Sequence, residues 1–184
     1  MDIIVSIWAS PEITVKKEIT AIIKDFSKKY KAYTAVKDYK GPHITIINLK
    51  IPKTEFDSIF ENVKAISLPT KKFKIQINGI GYFTAYHSGS PNYVIYFKIL
   101  KTQDLSKLYR RLKKRFKAQL FGYPKFTPHI TLTMRDLTRT DFYLALKDFK
   151  HLKFSRRITI KKIMVSYKDN HSGKAIVKTV KLTK

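Results

Sequence analysis

The sequence repeats one four-residue stretch, Pro-His-Ile-Thr, as "GPHITI" at residues 41–46 and "TPHITL" at residues 127–132. The two histidines, His43 and His129, are 86 residues apart (129 − 43). Side chains along a β-strand alternate between its two faces, so each His and the Thr two residues later point the same way. We therefore expect two strands that each bury their isoleucine and present a His/Thr pair on the other face.

The same order of elements is predicted around both copies of this stretch. After a strand at residues 2–9, each half reads helix, strand, helix, strand, strand. The predicted helices carry apolar stripes at 15–30, 56–66, 105–120 and 142–149, and the predicted strands cover 43–51, 73–85, 92–100, 129–135, 156–168 and 175–183. The repeated order predicts an internal duplication, and without a low-complexity linker residues 1–184 are expected to form a single domain of two pseudo-symmetric lobes.

Composition narrows the class of protein. Of the 184 residues, 43% are hydrophobic, which is enough to form a core and argues against disorder. No segment approaches the roughly 20 apolar residues of a membrane span. The absence of cysteine excludes disulfides and thiolate zinc sites, and fits a cytoplasmic protein.

Charge is the strongest bulk signal, with 38 Lys and Arg against 13 Asp and Glu and a formal net charge of +25. Such a surface attracts polyanions, chiefly RNA, DNA or phosphorylated ligands. The alternative is a lysine-rich surface with no dedicated partner. We expect RNA or an oligonucleotide as partner, no membrane association, and a monomer.

If the two halves face each other across a pseudo-twofold axis, one cleft holds two imidazoles and two hydroxyls, from His43, His129, Thr45 and Thr131. One imidazole can accept a proton from a nucleophile while the other donates a proton to a leaving oxygen. Threonine hydroxyls can hold phosphate oxygens. This set suits a phosphodiester and requires neither a metal nor a cofactor. The competing interpretation is that duplication preserved the motif for packing alone.

"GPHITI" and "KFTPHITLTM" resemble the paired His-x-Thr-x motifs of the 2H phosphoesterase superfamily. The second copy is especially similar to the branch of RNA 2′,3′-cyclic phosphodiesterases, also called 2′-5′ RNA ligases. The resemblance extends over nearly the whole chain through size, element order and motif spacing. It implies a bilobal α+β fold in which two antiparallel sheets flank a central groove, with helices on the outside.

The resemblance also implies the chemistry. One of His43 and His129 activates water against a cyclic phosphate and the other protonates the departing ribose oxygen, with His43 preferred as the acid. Thr45 and Thr131 hold the phosphate. The implied product is a 2′-phosphate, and the reverse reaction with a 5′-hydroxyl joins RNA through a 2′-5′ bond.

The first motif departs from the family pattern. Family members often continue toward a Phe-Leu-Gly ending, whereas this chain reads "IINLKIP", so the groove beyond the motif is expected to suit a different substrate. Five residues near the motifs are further candidates for substrate binding. The aromatic candidates could stack on a base and the basic ones could contact phosphate; they are Tyr39, Lys40, Tyr123, Lys125 and Arg135.

Two other functions stay open from the sequence. One is a 2H phosphodiesterase that acts on 2′-5′ oligoadenylate or on cyclic dinucleotide messengers. The other is a non-catalytic module that binds RNA or nucleotides. The high positive charge favours a long polyanion over a small messenger, and two intact His/Thr pairs argue against a module without turnover.

Overall fold

The protein is described by a computed structural model at residues 1–87, 90–122, 125–169 and 171–183. These residues form an α+β fold with nine strands and four α-helices. The strands are β1 (Asp2–Ala9), β2 (Ile44–Pro52), β3 (Phe73–His87), β4 (Ser90–Leu100), β5 (Leu120–Phe121), β6 (His129–Thr133), β7 (Ser155–Ile160), β8 (Lys162–Lys168) and β9 (Ala175–Lys181). The helices are α1 (Ile13–Tyr30), α2 (Phe56–Ser67), α3 (Gln103–Arg115) and α4 (Arg139–Lys150).

The strands form two antiparallel sheets that exchange strands between the two halves of the chain. The first sheet has the order β5-β2-β1-β8-β9, and the second has the order β6-β4-β3-β7. Thus β3 and β4 from the first half join the second sheet, while β8 and β9 from the second half join the first. The predicted α+β class and the two antiparallel sheets are confirmed, but each sheet combines strands from both halves of the chain.

Three predicted elements have different boundaries. The segment 156–168 was expected to be one strand but forms β7 and β8, one in each sheet. The helix expected to reach residue 120 ends at Arg115; Lys117–Gln119 form a 3-10 turn, and Leu120 and Phe121 then pair with β2 as the short strand β5. The strand expected to reach residue 135 ends at Thr133. The pattern of apolar residues does not reveal these boundaries, because all three segments also carry apolar residues beyond them.

One face of each sheet packs against helices and the other faces the groove. In the motif strands Ile44, Ile130 and Leu132 are fully buried, as their alternation predicts. Helix α3 buries Leu105, Leu108 and Leu112 in the same core. Burial of these side chains against the helices leaves the His/Thr face of both motif strands to the groove. Among the described residues, no helix is long and apolar enough to cross a membrane.

Candidate active site

The two motif strands lie close to each other although they belong to different sheets. Strand β2 lies inside the first sheet and β6 at the edge of the second, and their Cα atoms approach within 8 Å. His43, Thr45, His129 and Thr131 are all only partly buried, in contrast to the isoleucines between them. The proximity of the strands brings the two predicted half-sites together, and the charge on His129 is close enough to affect the pKa of His43.

Both imidazoles are held by the same hydrogen bond. The Nδ1 atom of His43 lies 2.8 Å from the Gly41 carbonyl oxygen, and that of His129 lies 2.7 Å from the Thr127 carbonyl oxygen. A carbonyl oxygen can only accept, so Nδ1 carries the hydrogen in each ring. This fixes the tautomer and leaves Nε2 of both histidines free to accept or donate a proton.

An aromatic side chain stands opposite each motif threonine. Trp8 is the register partner of Thr45 and Tyr96 is that of Thr131. The Trp8 ring centroid is 5.6 Å from that of His43, and the Tyr96 ring centroid is 4.9 Å from that of His129. In both sheets the register shifts immediately before this aromatic residue. Such a shift is typical of a β-bulge, which redirects side chains and is common next to functional sites. The two half-sites therefore also share an irregularity at the same position.

The Tyr96 ring needs a glycine on the neighbouring strand. Gly81 is its register partner on β3, and a Cβ atom placed there would lie 2.5–2.7 Å from three atoms of the Tyr96 ring end. The ring therefore lies flat across Gly81, where it stacks on Phe83 at 4.4 Å between centroids and reaches His129. Phe83 also contacts His129 edge-on, at 5.1 Å. The rings of Tyr96 and Phe83 thus both pack against the His129 imidazole.

Burial lowers the pKa of both histidines. The pKa of His43 falls from 6.5 to about 4, first because burial disfavours the charged ring and then because the Lys40 ammonium opposes it. The pKa of His129 is also lowered by burial, an effect that its hydrogen bond to the Thr127 carbonyl partly offsets. At neutral pH, before a substrate binds, the His43 imidazole is therefore neutral.

Two of the predicted substrate-binding residues line the first half-site. The Lys40 side chain is only 14% exposed, with its ammonium 3.9 Å from the Asp38 carboxylate and over the Tyr39 ring at 5.2 Å. Burial lowers the pKa of Lys40. Tyr39 is 41% exposed, and its hydroxyl lies 2.9 Å from Ser166 Oγ, which also accepts a hydrogen bond from Trp8 Nε1 at 2.8 Å.

The other three candidates are less closely tied to the motifs. Lys125 is exposed in the segment before β6. Arg135 follows the end of β6 with a φ of 66°, and its backbone N–H donates to Asn92 Oδ1 at 3.0 Å, so strand alternation does not place its side chain beside His129. Tyr123 lies outside the described residues.

Sequence reasoning missed the residues that flank the histidines. Trp8 alternates with the buried Ile7 and Ala9 in "SIWAS", a signal that could have placed its ring on the groove face. Ser166 touches Trp8 across 158 residues of chain, and Gly81 matters only through Tyr96. These contacts depend on which strands become neighbours, which local periodicity does not determine. In the described ranges, no group of three His, Asp or Glu side chains is placed to hold a metal ion.

The chain is similar to known proteins over most of its length. The family described as the 2′-5′ RNA ligase superfamily matches residues 12–171. A Bacillus cytotoxicus protein named "Putative phosphoesterase" is 31% identical over 113 residues, which are 59% of this chain and 62% of that protein. A Staphylococcus aureus protein of the same designation is 28% identical over 180 residues, covering 90% of this chain and 94% of that one.

Solved structures share the fold. The E. coli LigT structure with 3′-AMP aligns with a TM-score of 0.66 at 15% identity and covers 100% of both chains. The Kluyveromyces marxianus Usb1 structure with uridine monophosphate aligns with a TM-score of 0.54 at 8% identity, covering 97% of this chain and 98% of that one. These solved structures show the fold, whereas the family match over residues 12–171, a range that contains both His/Thr pairs, shows that the chain belongs to the 2′-5′ RNA ligase superfamily of 2H phosphoesterases.

Proposed function

We propose that this protein hydrolyses the 2′,3′-cyclic phosphate ends of RNA to 2′-phosphates without a metal ion. The observation that carries the proposal is the matched pair of imidazoles, each locked by an Nδ1–H bond to a carbonyl, beside the same groove. Membership of the phosphoesterase family supports a hydrolase of the 2H type. The nucleotides bound by LigT and Usb1 are consistent with a nucleotide end in the groove.

The reaction needs one base and one acid on opposite sides of the phosphorus. One imidazole Nε2 takes a proton from water as the water oxygen bonds to phosphorus. The bond from phosphorus to O3′ breaks, and the other imidazole gives its proton to O3′. Thr45 and Thr131 donate hydrogen bonds to the non-bridging oxygens, where negative charge increases in the transition state.

The charges around the histidines favour His43 as the base and His129 as the acid, which reverses the order preferred from the resemblance. A base must be neutral before the reaction, and both burial and Lys40 keep the His43 ring neutral. Although Lys98 is the register partner of His129, its ammonium is not among the causes that shift the pKa of that ring, which are burial and the Thr127 carbonyl. An anionic substrate between the two rings would promote protonation of His129, while Lys40 would pair with the phosphate.

The test is conversion of a short RNA that ends in a 2′,3′-cyclic phosphate, with EDTA present. Wild type should form the 2′-phosphate, and His43→Ala and His129→Ala should each lose at least about 100-fold in rate, the usual contribution of general acid–base catalysis. His151→Ala is the matched control, because this histidine is exposed at the end of α4. Formation of a 3′-phosphate, or full activity in either motif variant, would contradict the proposal.

A wild type that leaves this RNA intact would also contradict the proposal and direct the search to 2′-5′ oligoadenylate and cyclic dinucleotides. RNA binding without turnover of any of these would indicate a binding module. The same proposal includes reverse 2′-5′ ligation, tested by adding an RNA with a free 5′-hydroxyl. It also includes action as a cytoplasmic monomer, tested by fractionation of cells and by light scattering.

A further inference from the structure

The four strands of the second sheet contain basic residues but no acidic ones. Strands β3, β4, β6 and β7 together hold Lys74, Lys98, Arg156 and Arg157, and neither Asp nor Glu occurs in them. Arg156 is turned away from the groove and pairs with Glu18 of α1. In the described part of the chain, Lys74, Lys98 and Arg157 form no ion pairs.

Register places these three free cations on the same face as His129. Lys98 is the direct register partner of His129. Its neighbours Phe97 and Ile99 are buried on the opposite face. Leu100, two residues beyond Lys98, pairs with Gln76, which in turn pairs with Arg157.

Alternation along β3 places Lys74 on this face as well. It lies two residues from Gln76, and the buried Ile75 between them points to the other face. All three basic side chains are exposed. The groove face of the second sheet therefore carries a set of unneutralised cations that starts beside the catalytic motif; we name it the groove track, and it consists of Lys98, Arg157 and Lys74.

The groove track is too long for a single nucleotide. From the usual strand spacing and rise, the Arg157 Cα lies two strands and two residues from Lys98, roughly 12 Å away. Lys74 lies one strand and two residues from Arg157, roughly 8 Å away, and one strand and four residues from Lys98, roughly 14 Å away. A ligand that reaches all three cations must carry several negative charges along an extended path.

We propose that the groove track binds the phosphate backbone of single-stranded RNA upstream of the reacting end, so that the substrate is a polymer and not a mononucleotide. This rests on the proposed function. In an RNA with a 2′,3′-cyclic end, every other phosphate lies on the 5′ side of the terminal ribose, so the strand leaves the histidines in one direction. The track extends from His129 along one sheet face and offers phosphate contacts that carry no sequence information.

The experiment compares two triple variants that remove the same charge. The track variant is Lys74→Gln/Lys98→Gln/Arg157→Gln. The control is Lys107→Gln/Arg110→Gln/Lys114→Gln, on the exposed face of α3, whose opposite face buries Leu105 and Leu112 in the core. Both variants lower the net charge from +25 by three, so any difference between them is local.

The probe is a fluorescent RNA of about 12 nucleotides with a 2′-phosphate end, and its Kd is measured by anisotropy between about 50 and 200 mM salt. Each lost phosphate contact lowers the slope of log K against log salt by about 0.7 for single strands. The track variant should therefore lose about 2 from the slope, while the control keeps the wild-type slope. Equal losses in both variants, or none in the track variant, would overturn the inference.

This result is separable from the proposed function, because binding is measured without turnover. Wild-type hydrolysis of a nucleoside 2′,3′-cyclic phosphate tests the chemistry by itself. If the track triple variant does not fold, as judged by circular dichroism, the single variants Lys98→Gln and Arg157→Gln should each lose about 0.7 from the slope. A wild type in which kcat/KM is equal for the mononucleotide and for the longer RNA would also contradict the inference.

Discussion

Substitution of Gly81 by alanine tests how the second sheet holds the aromatic wall of the site. The new methyl carbon would lie 2.5 Å from Cζ and 2.7 Å from the hydroxyl oxygen of Tyr96. These distances are well below van der Waals contact, and the ring cannot retreat freely because Phe83 stacks on it. Overpacking of this kind costs about 1–3 kcal/mol. The displaced ring would also loosen its contact with His129, so kcat should fall.

A double-mutant cycle with Tyr96→Leu isolates this clash. In the Tyr96→Leu background, Gly81→Ala should cost nothing or stabilise slightly, because alanine reduces the freedom of the unfolded chain. Urea denaturation should therefore give a coupling free energy of about 1–3 kcal/mol between the two positions. Gly79→Ala is the matched control: its Cβ meets nothing within 4 Å, although its φ of +76° strains any other residue. Its cost should add to that of Tyr96→Leu within about 0.5 kcal/mol.

Additive effects of Gly81→Ala and Tyr96→Leu would refute this reasoning, because they would mean that the ring does not lie across Gly81. A normal kcat in Gly81→Ala, together with the expected loss of stability, would refute the second step, in which the ring supports His129.

Three further predictions concern charge and folding. Acidification should destabilise the protein by up to about 3 kcal/mol through His43, because the pKa of this ring is about 4 in the folded protein and 6.5 in the unfolded chain. The stability is complete above about pH 6.5 and is lost as the pH falls toward 4. The free energy of unfolding of His43→Gln, measured by urea denaturation, should therefore depend less on pH. Lys40→Gln should move the acidic limb of the pH profile of kcat/KM to higher pH, because it removes the ammonium that opposes the His43 imidazolium. Lys37→Gln is the control, because Lys37 is exposed in the same loop, and it should leave the limb in place. An unmoved limb in Lys40→Gln would exclude Lys40 as a cause of the lowered pKa of His43. Unfolding followed by Trp8 fluorescence and by far-UV circular dichroism should coincide, because one buried core includes residues of both sheets, and separate transitions would contradict the single-domain prediction for residues 1–184.

The motif strands could be predicted because their information is local. Alternation along "PHIT" places Ile44 and Ile130 in the core and His43 and His129 on the other face, and the structure confirms this burial pattern. The repeat of Pro-His-Ile-Thr also predicted two half-sites. The resemblance of these motifs to 2H phosphoesterases predicted the two-sheet α+β fold, which is also confirmed.

The rest of the site depends on long-range pairing. Ser166 reaches Trp8 and Tyr39 only because β8 joins the first sheet, and the sequence of 156–168 gives no sign that it divides between two sheets. Gly81 could be recognised as a glycine in a strand, but its role requires Tyr96 as its register partner. Arg135 shows the converse, because the strand predicted over 129–135 ends at Thr133 and the alternation of a strand no longer applies to the Arg135 side chain.

The central claim is that His43 and His129 are one base and one acid acting on the same phosphate. The most direct measurement uses a substrate in which sulfur replaces the 3′ oxygen of the cyclic phosphate, because a thiolate leaves without a proton from the enzyme. His129→Ala should then recover to within about tenfold of wild type, while His43→Ala should stay at least about 100-fold slower. Rescue of His43→Ala alone would reverse the assignment of acid and base. Rescue of both variants, or of neither, would contradict the acid–base pair itself.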